Sequence, residues 1–269
     1  MKENAMKRIM LIVLCVCMCV CYACEQKQIT KLKVMSYNIR HGEGMDNVLD
    51  LSRAAGVIKE QAPDLCGLQE VDNSCLRTNK IEQSSYLAEK TQMTGTFSKF
   101  MDFDGGEYGM ATLSAKPIIS TKRLQLPDGI AEARSAIIHE VQIAKACTIV
   151  FVNVHFDWIE SEEGVSSRLN QAKALMQYLD AINKAVIITG DFNCSPASPT
   201  MKYFNEQGFE FINKGEDNLS FQGETKVELD HVIFRNTNDI KIKAISIDLL
   251  EEPIVSDHRP LVAELEVEY

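Results

Sequence analysis

The chain has 269 residues, 45% of them apolar, with seven prolines and 14 glycines, which suits a folded core and excludes a disordered or fibrous protein. Its formal charge is −10, with 38 acidic residues against 28 basic ones, and no lysine- or arginine-rich run stands out. That balance argues against a protein that grips long duplex DNA by neutralising phosphates, so no strong nucleic-acid affinity is expected.

Lys2, Lys7 and Arg8 precede an apolar run from Ile9 to about Ala23, the layout of a secretory signal and too short for a clear membrane span. Residues 1–23 are therefore expected to be a signal segment and 24–30 a spacer, leaving one domain over 31–269. Five of the nine cysteines lie in or next to the signal segment. Cys21-Tyr22-Ala23-Cys24 resembles a loose bacterial lipoprotein signal with lipidation at Cys24; simple secretion and an uncleaved anchor are the alternatives. An exported cell-envelope lipoprotein, in the periplasm or at the cell surface, is the expectation, with the lipid as its sole membrane contact. Cys66, Cys75, Cys147 and Cys194 have no metal-like spacing and read as buried free thiols, with one disulfide as the alternative in an oxidising compartment.

Lys31 to Tyr37 alternates as a strand and leads to Asn38 and His41. Val48 to Gln61 carries apolar residues at helical spacing and ends before Pro63. Leu65 to Val71 is the next strand, with Glu70 at its end, and Tyr86 to Thr91 is helical. Tyr108–Ser114 and Arg134–Ile143 read as strands joined by a Pro/Gly-bearing turn region. Thr148 to Phe156 is strongly β-forming and delivers His155 and Asp157. A long amphipathic helix follows over Ser166–Ile182, then the apolar strand Ala185–Thr189, which opens into Gly190-Asp191-Phe192-Asn193. A helix over Pro199–Gln207 and strands over Glu228–Phe234, Ile240–Ile247 and Leu261–Val267 complete the chain. No linker divides these elements, which points to one α+β domain with two packed sheets and helices outside; a monomer is expected.

Polar residues recur wherever an apolar strand ends, and four of the five histidines fall in such places. This set matches the needs of phosphoester hydrolysis. A hard divalent cation takes oxygen ligands, for which Glu70 and Asp257 are the best candidates with Asn38 assisting. A water must be aligned and deprotonated, by Asp191 or by His258. Donors must stabilise the phosphoryl oxygens, a task suited to Asn193, His155 and His258.

The ordered set Asn38, Leu68-Gln69-Glu70-Val71, His155, Gly190-Asp191-Phe192-Asn193, Asp230 and Ser256-Asp257-His258-Arg259-Pro260-Leu261 resembles the endonuclease/exonuclease/phosphatase superfamily, as a secreted bacterial member. The resemblance runs from Lys33 to Ala263 and implies a four-layer α/β/β/α sandwich with two packed mixed sheets. It implies that Glu70 binds Mg²⁺ or Mn²⁺ with support from Asn38 and Asp257, and that Asp191 and Asn193 orient the nucleophile. It further implies that Asp230 orients His258 and that His155 contacts the scissile phosphate. Arg134 is a candidate for a substrate phosphate. Tyr108, in Tyr108-Gly109-Met110-Ala111-Thr112-Leu113-Ser114, is a candidate substrate contact. This stretch departs from the family pattern at Met110, and Ala115 and His231 also replace residues common in relatives.

The expected activity is metal-dependent hydrolysis of a phosphoester by in-line attack of water. A phospholipid or sphingolipid phosphodiesterase working at a membrane surface is the alternative, with Trp158 and Ile159 as a faint apolar hairpin; a non-catalytic binding protein of the same fold is a further one. Taken singly, His41 and Asp157 read as structural, Asp46, Asp64 and Asp72 as turn or capping residues, and His139 as packing or solvent-facing. The loops after Asn38, between Asn73 and Gly109, and after Phe156 are expected to set the substrate.

Overall fold

The N-terminal strands and the last two strands build one sheet and the middle of the chain builds the other, with amphipathic helices interrupting the first and middle stretches. A computed structural model describes residues 27–269; the expected signal segment and Cys24 lie outside the described residues. The first sheet holds β1 (Ile29–Asn38), β2 (Leu65–Asn73), β3 (Thr94–Phe103), β4 (Gly106–Ser114), β11 (Lys241–Leu249) and β12 (Leu261–Glu268), in the order β11-β12-β1-β2-β4-β3. The second holds β5 (Ile118–Gln125), β6 (Ser135–Ala144), β7 (Cys147–His155), β8 (Val186–Asp191), β9 (Glu210–Phe211) and β10 (Asp230–Arg235), in the order β5-β6-β7-β8-β10-β9. Each sheet has one parallel pair at its centre, β1 with β2 and β7 with β8, flanked by antiparallel neighbours.

The helices α1 (Leu51–Gln61) and α2 (Gln83–Thr91) cover the outer face of the first sheet, where Ala54, Ile58 and Leu87 meet Met35, Leu68 and Leu113. On the outer face of the second sheet lie α3 (Glu162–Leu179) and α4 (Pro199–Glu206), with Leu175, Met176 and Phe204 against Val152, Ile188 and Ile233. Between the sheets, Leu32, Val34 and Leu265 pack on Phe151, Ile187 and Val232. The result is the expected four-layer α/β/β/α sandwich, in which the central strands bury their two faces against different layers.

Helix starts follow local capping. Asp50 accepts a hydrogen bond from the Ser52 amide, so α1 begins at Leu51 and not at Val48. Ser161 caps α3 and places Glu162 and Glu163 in its first turn, where the helix dipole favours acids, so this helix starts four residues before Ser166 and stops at Leu179. The turn region expected between Tyr108–Ser114 and Arg134–Ile143 contains strand β5, and β3 was likewise not signalled by the sequence pattern. Both are edge strands; β5 has mostly exposed side chains and therefore no apolar alternation.

A polar layer crosses the middle of the sheet–sheet seam. The Gln69 amide donates to Asn153 Oδ1 at 2.7 Å, and Asn153 Nδ2 donates to the carbonyls of Leu68 (3.0 Å) and Ala111 (2.7 Å). Gly67 permits this approach, because a Cβ there would sit 2.6 Å from Thr189 Oγ1. All four described cysteines are buried and free, as expected.

Candidate active site

The ten residues singled out in the sequence come together at one end of the sandwich. Glu70, Tyr108, Arg134, His155, Asp191, Asn193, Asp257 and His258 line a single cavity of about 620 Å³, and Asn38 and Asp230 stand directly behind them. The two parallel strand pairs supply the floor: Asn38 and Glu70 from β1 and β2, His155 and Asp191 from β7 and β8.

Glu70 does not end its strand, as the sequence suggested. It sits inside β2 at a bulge, where the pairing with β4 slips between Leu68 and Val71, and its φ is +55°. A non-glycine residue in this conformation costs about 1–3 kcal/mol, and the bulge re-aims its side chain into the cavity. Asn38 Nδ2 lies between two carboxylates, 3.0 Å from Glu70 Oε1 and 3.2 Å from Asp191 Oδ2. Burial raises the Glu70 pKa, and the neighbouring Asp257 carboxylate pushes it further. Three acids thus converge with one neutral amide between two of them, a donor set that fits a hard divalent cation.

Asp191 is the hub. Its Oδ2 lies 3.6 Å from Nε2 of both His155 and His258. Nδ1 of His258 is 2.8 Å from Asp230 Oδ2. Burial alone would depress His258, but Asp230 and Asp191 outweigh it and raise its pKa to about 10, so the imidazole is a cation at neutral pH. Burial raises Asp191 well above the usual carboxylate range, with His258 opposing. His155 is driven the other way by burial and by Arg134, and stays neutral. Asp191, Asp230 and His258 also offer ligand atoms within 4.8 Å of one another. Because His258 Nδ1 is committed to Asp230 by a 2.8 Å hydrogen bond while its Nε2 stands 3.6 Å from Asp191, this trio is better described as a buried charge cluster than as a metal cage.

The turn after β8 is held by short-range bonds. The Asn193 amide donates to Asp191 Oδ1 at 2.9 Å, its side chain donates to the Phe156 carbonyl at 3.0 Å, and its φ is +50°. Arg134 lies just before β6, not within a strand. It is 1% exposed, bonded to Glu132 at 2.7 Å and stacked over Phe100. Its Nε and His155 Nδ1 are buried without hydrogen-bond partners among the described residues, two polar atoms left free beside the cavity.

Residues the sequence did not single out also line the cavity: Arg77, Phe221, Glu160 and Glu224. Arg77 makes a bidentate pair with Asp72 at 2.7 and 2.8 Å and lies over the Phe103 ring. Asp72 is therefore neither a turn nor a cap residue; it is a buried anchor within β2. Asp46 does accept a local backbone bond, from Val48, whereas Asp64 accepts the Lys33 amide of β1 and so ties two distant segments rather than capping a turn. Asp157 holds the loops through the amides of Ile130 and Ile159, and His139 is buried beside Thr121, both structural.

Residues 35–258 match the model of the endonuclease/exonuclease/phosphatase family. The chain belongs to this family. Among solved structures it resembles an endonuclease/exonuclease/phosphatase from Beutenbergia cavernae, with TM-score 0.72 and 19% identity, covering 87% of this chain and 71% of that one. A family protein from Bacteroides thetaiotaomicron gives TM-score 0.70 and 20% identity over 89% of this chain and 98% of its own. The mannosyl-6-phosphatase of the same organism gives 0.67 and 20% over 87% and 99%. By sequence alone, no curated protein matches the chain.

Proposed function

We propose that this protein is a Mg²⁺- or Mn²⁺-dependent hydrolase of compact phosphoesters. The observation that carries the reading is the position of Asp191 Oδ2 at the cavity floor, bracketed by Asn38 Nδ2 at 3.2 Å and by two imidazole Nε2 atoms at 3.6 Å. Glu70, Asp257 and Asn38 would hold the cation, which, when bound, offsets charge developing on the phosphoryl oxygens. Asp191, its proton affinity raised by burial, accepts the proton of the attacking water, and Asn193 keeps that carboxylate in place. His258 is held by Asp230 as a cation and donates through Nε2 to a phosphoryl oxygen or the leaving group. His155, Arg134 and Tyr108 supply further donors to the phosphate.

The wall favours a small substrate. Glu132, Glu160 and Glu224 line the cavity, and its two arginines, Arg77 and Arg134, are each paired with a carboxylate. Such a rim repels the flanking phosphates of a polynucleotide. Trp158, half exposed at the same rim, offers a flat apolar face. A sugar phosphate, the substrate class named for one structural relative, is the first compound to assay. We propose in addition that residues 1–23 direct export, that Cys24 carries a lipid, and that the domain over 31–269 works as a monomer.

The test is phosphate release by the full chain with added Mg²⁺ or Mn²⁺, from a hexose 6-phosphate, a chromogenic phosphodiester, DNA and phosphatidylcholine vesicles. Metal-dependent release from the small esters is expected. Release from vesicles alone would favour the membrane-surface phosphodiesterase, and silence together with no metal binding would leave a binding protein.

A further inference from the structure

His231 follows Asp230 in β10, so its side chain leaves the opposite face of the strand, away from the cavity and toward α4. There it meets the Cys194 carbonyl, with Nε2 at 2.9 Å. A carbonyl only accepts, so Nε2 carries the proton. On the other side, Nδ1 is 3.2 Å from Lys214 Nζ. An ammonium only donates, so Nδ1 presents its lone pair. Lys214 has a side chain only 2% exposed and is bonded to Glu228 Oε1 at 2.5 Å. Glu228 Oε1 is also 3.8 Å from His231 Nδ1, and the Phe192 ring stands edge-on to the imidazole at 5.4 Å. Burial and the Lys214 charge depress the imidazole pKa to about 3, so the ring is neutral.

A buried lysine–glutamate pair carries a desolvation cost that an apolar pair would not. Here its geometry fixes a tautomer. Cys194 directly follows Asn193, so the carbonyl gripped by His231 belongs to the turn that carries Asp191 and Asn193.

We propose that Lys214 and His231 are positioning residues for the active site: Lys214, held by Glu228, locks the His231 proton on Nε2, and that proton clamps the Cys194 carbonyl and so sets Asp191 and Asn193. The inference rests on the role given to Asp191 above. The clamp acts from beneath the site and touches no substrate.

The test uses the full chain and its His231→Phe, His231→Gln and Lys214→Met variants. Nitrogen-15 NMR of the wild type should show His231 as a neutral ring protonated at Nε2, and Lys214→Met should lose that single-tautomer signature. With a hexose 6-phosphate and a chromogenic phosphodiester, His231→Phe should lower kcat by on the order of 10- to 100-fold with KM nearly unchanged. His231→Gln should recover most of that loss, because its amide nitrogen can reach the same carbonyl. A wild-type ring protonated at Nδ1, or a folded His231→Phe protein with wild-type kcat, would overturn the proposal. Should His231→Phe not fold, the NMR signature and the kcat of Lys214→Met decide, and an unchanged signature there also overturns it. If the wild type cleaves no phosphoester, the hydrolase reading fails, whereas the NMR arm still sustains or overturns the clamp.

Discussion

His258 Nδ1 stands 2.8 Å from Asp230 Oδ2, and this bond joins the two sheets. Asp230 opens β10 of the second sheet, and His258 lies in the approach to β12 of the first. Ser220 Oγ accepts the amides of Leu229 and Asp230, Ser256 Oγ accepts that of His258, and the Phe221 ring packs on the imidazole. The pair is fixed from both sides before any substrate arrives. Asp230→Asn keeps the size but removes the charge that makes His258 a cation. Steady-state kinetics should show kcat lower by on the order of 10²- to 10³-fold with KM little changed.

Removing a carboxylate from the cation set should act on binding before chemistry. Calorimetric titration of Mn²⁺ into Glu70→Gln is expected to show affinity lower by at least about tenfold, since one of few oxygen ligands has lost its charge. For the wild type, EDTA should lower the melting temperature, because a ligand at 100 times its Kd stabilises the native state by about 2.7 kcal/mol.

Two buried histidines should make the fold sensitive to mild acid. Burial depresses the folded-state pKa of His139 to about 4 and that of His231 to about 3. Unfolded, each titrates near about 6.5, so below that pH the unfolded chain binds protons that the native state refuses. Their stability contribution is complete above pH ~6.5 and falls as the pH drops toward the folded values, by up to about 1.4 kcal/mol per pH unit for each residue. Asp191 and Glu70, raised by burial, oppose this loss in the same window, so the histidine contribution is read as a difference. Urea unfolding of wild type against His139→Gln between pH 7 and 4 should show up to about 3 kcal/mol less acid-induced loss in the variant.

Gly190 lets the backbone beside Asp191 run close against its neighbour strand. A Cβ there would lie 2.2 Å from the Val154 carbonyl oxygen and 2.7 Å from Val154 Cγ2. Gly190→Ala should therefore destabilise the protein by more than about 3 kcal/mol, seen as a drop in the urea midpoint.

The two-sheet architecture and much of the site were legible because several functional side chains sit where an apolar β-branched run gives way to polar residues. Val186–Ile188 before Asp191 and Ile149–Val154 before His155 show this directly. What stayed hidden depended on pairing. The bulge that re-aims Glu70 arises from a slipped register against β4, which no local pattern encodes. Arg77 reads as an ordinary loop cation until folding places it beside Asp72 and the rings of Phe103 and Tyr108. Edge strands β3 and β5 escape because one face or both meet water. His231 looked like a mere departure from a family pattern; its partners, Lys214 and Cys194, come from separate segments.

Because Asn38 and Glu70 ride on one sheet while His155 and Asp191 ride on the other, neither sheet alone contains a working constellation. The Gln69–Asn153 bond across the seam is the alignment pin between these halves. Turnover should thus report how well two independently twisted surfaces mesh, and a substitution that lets them slide by a fraction of an ångström will silence the chemistry long before the chain melts.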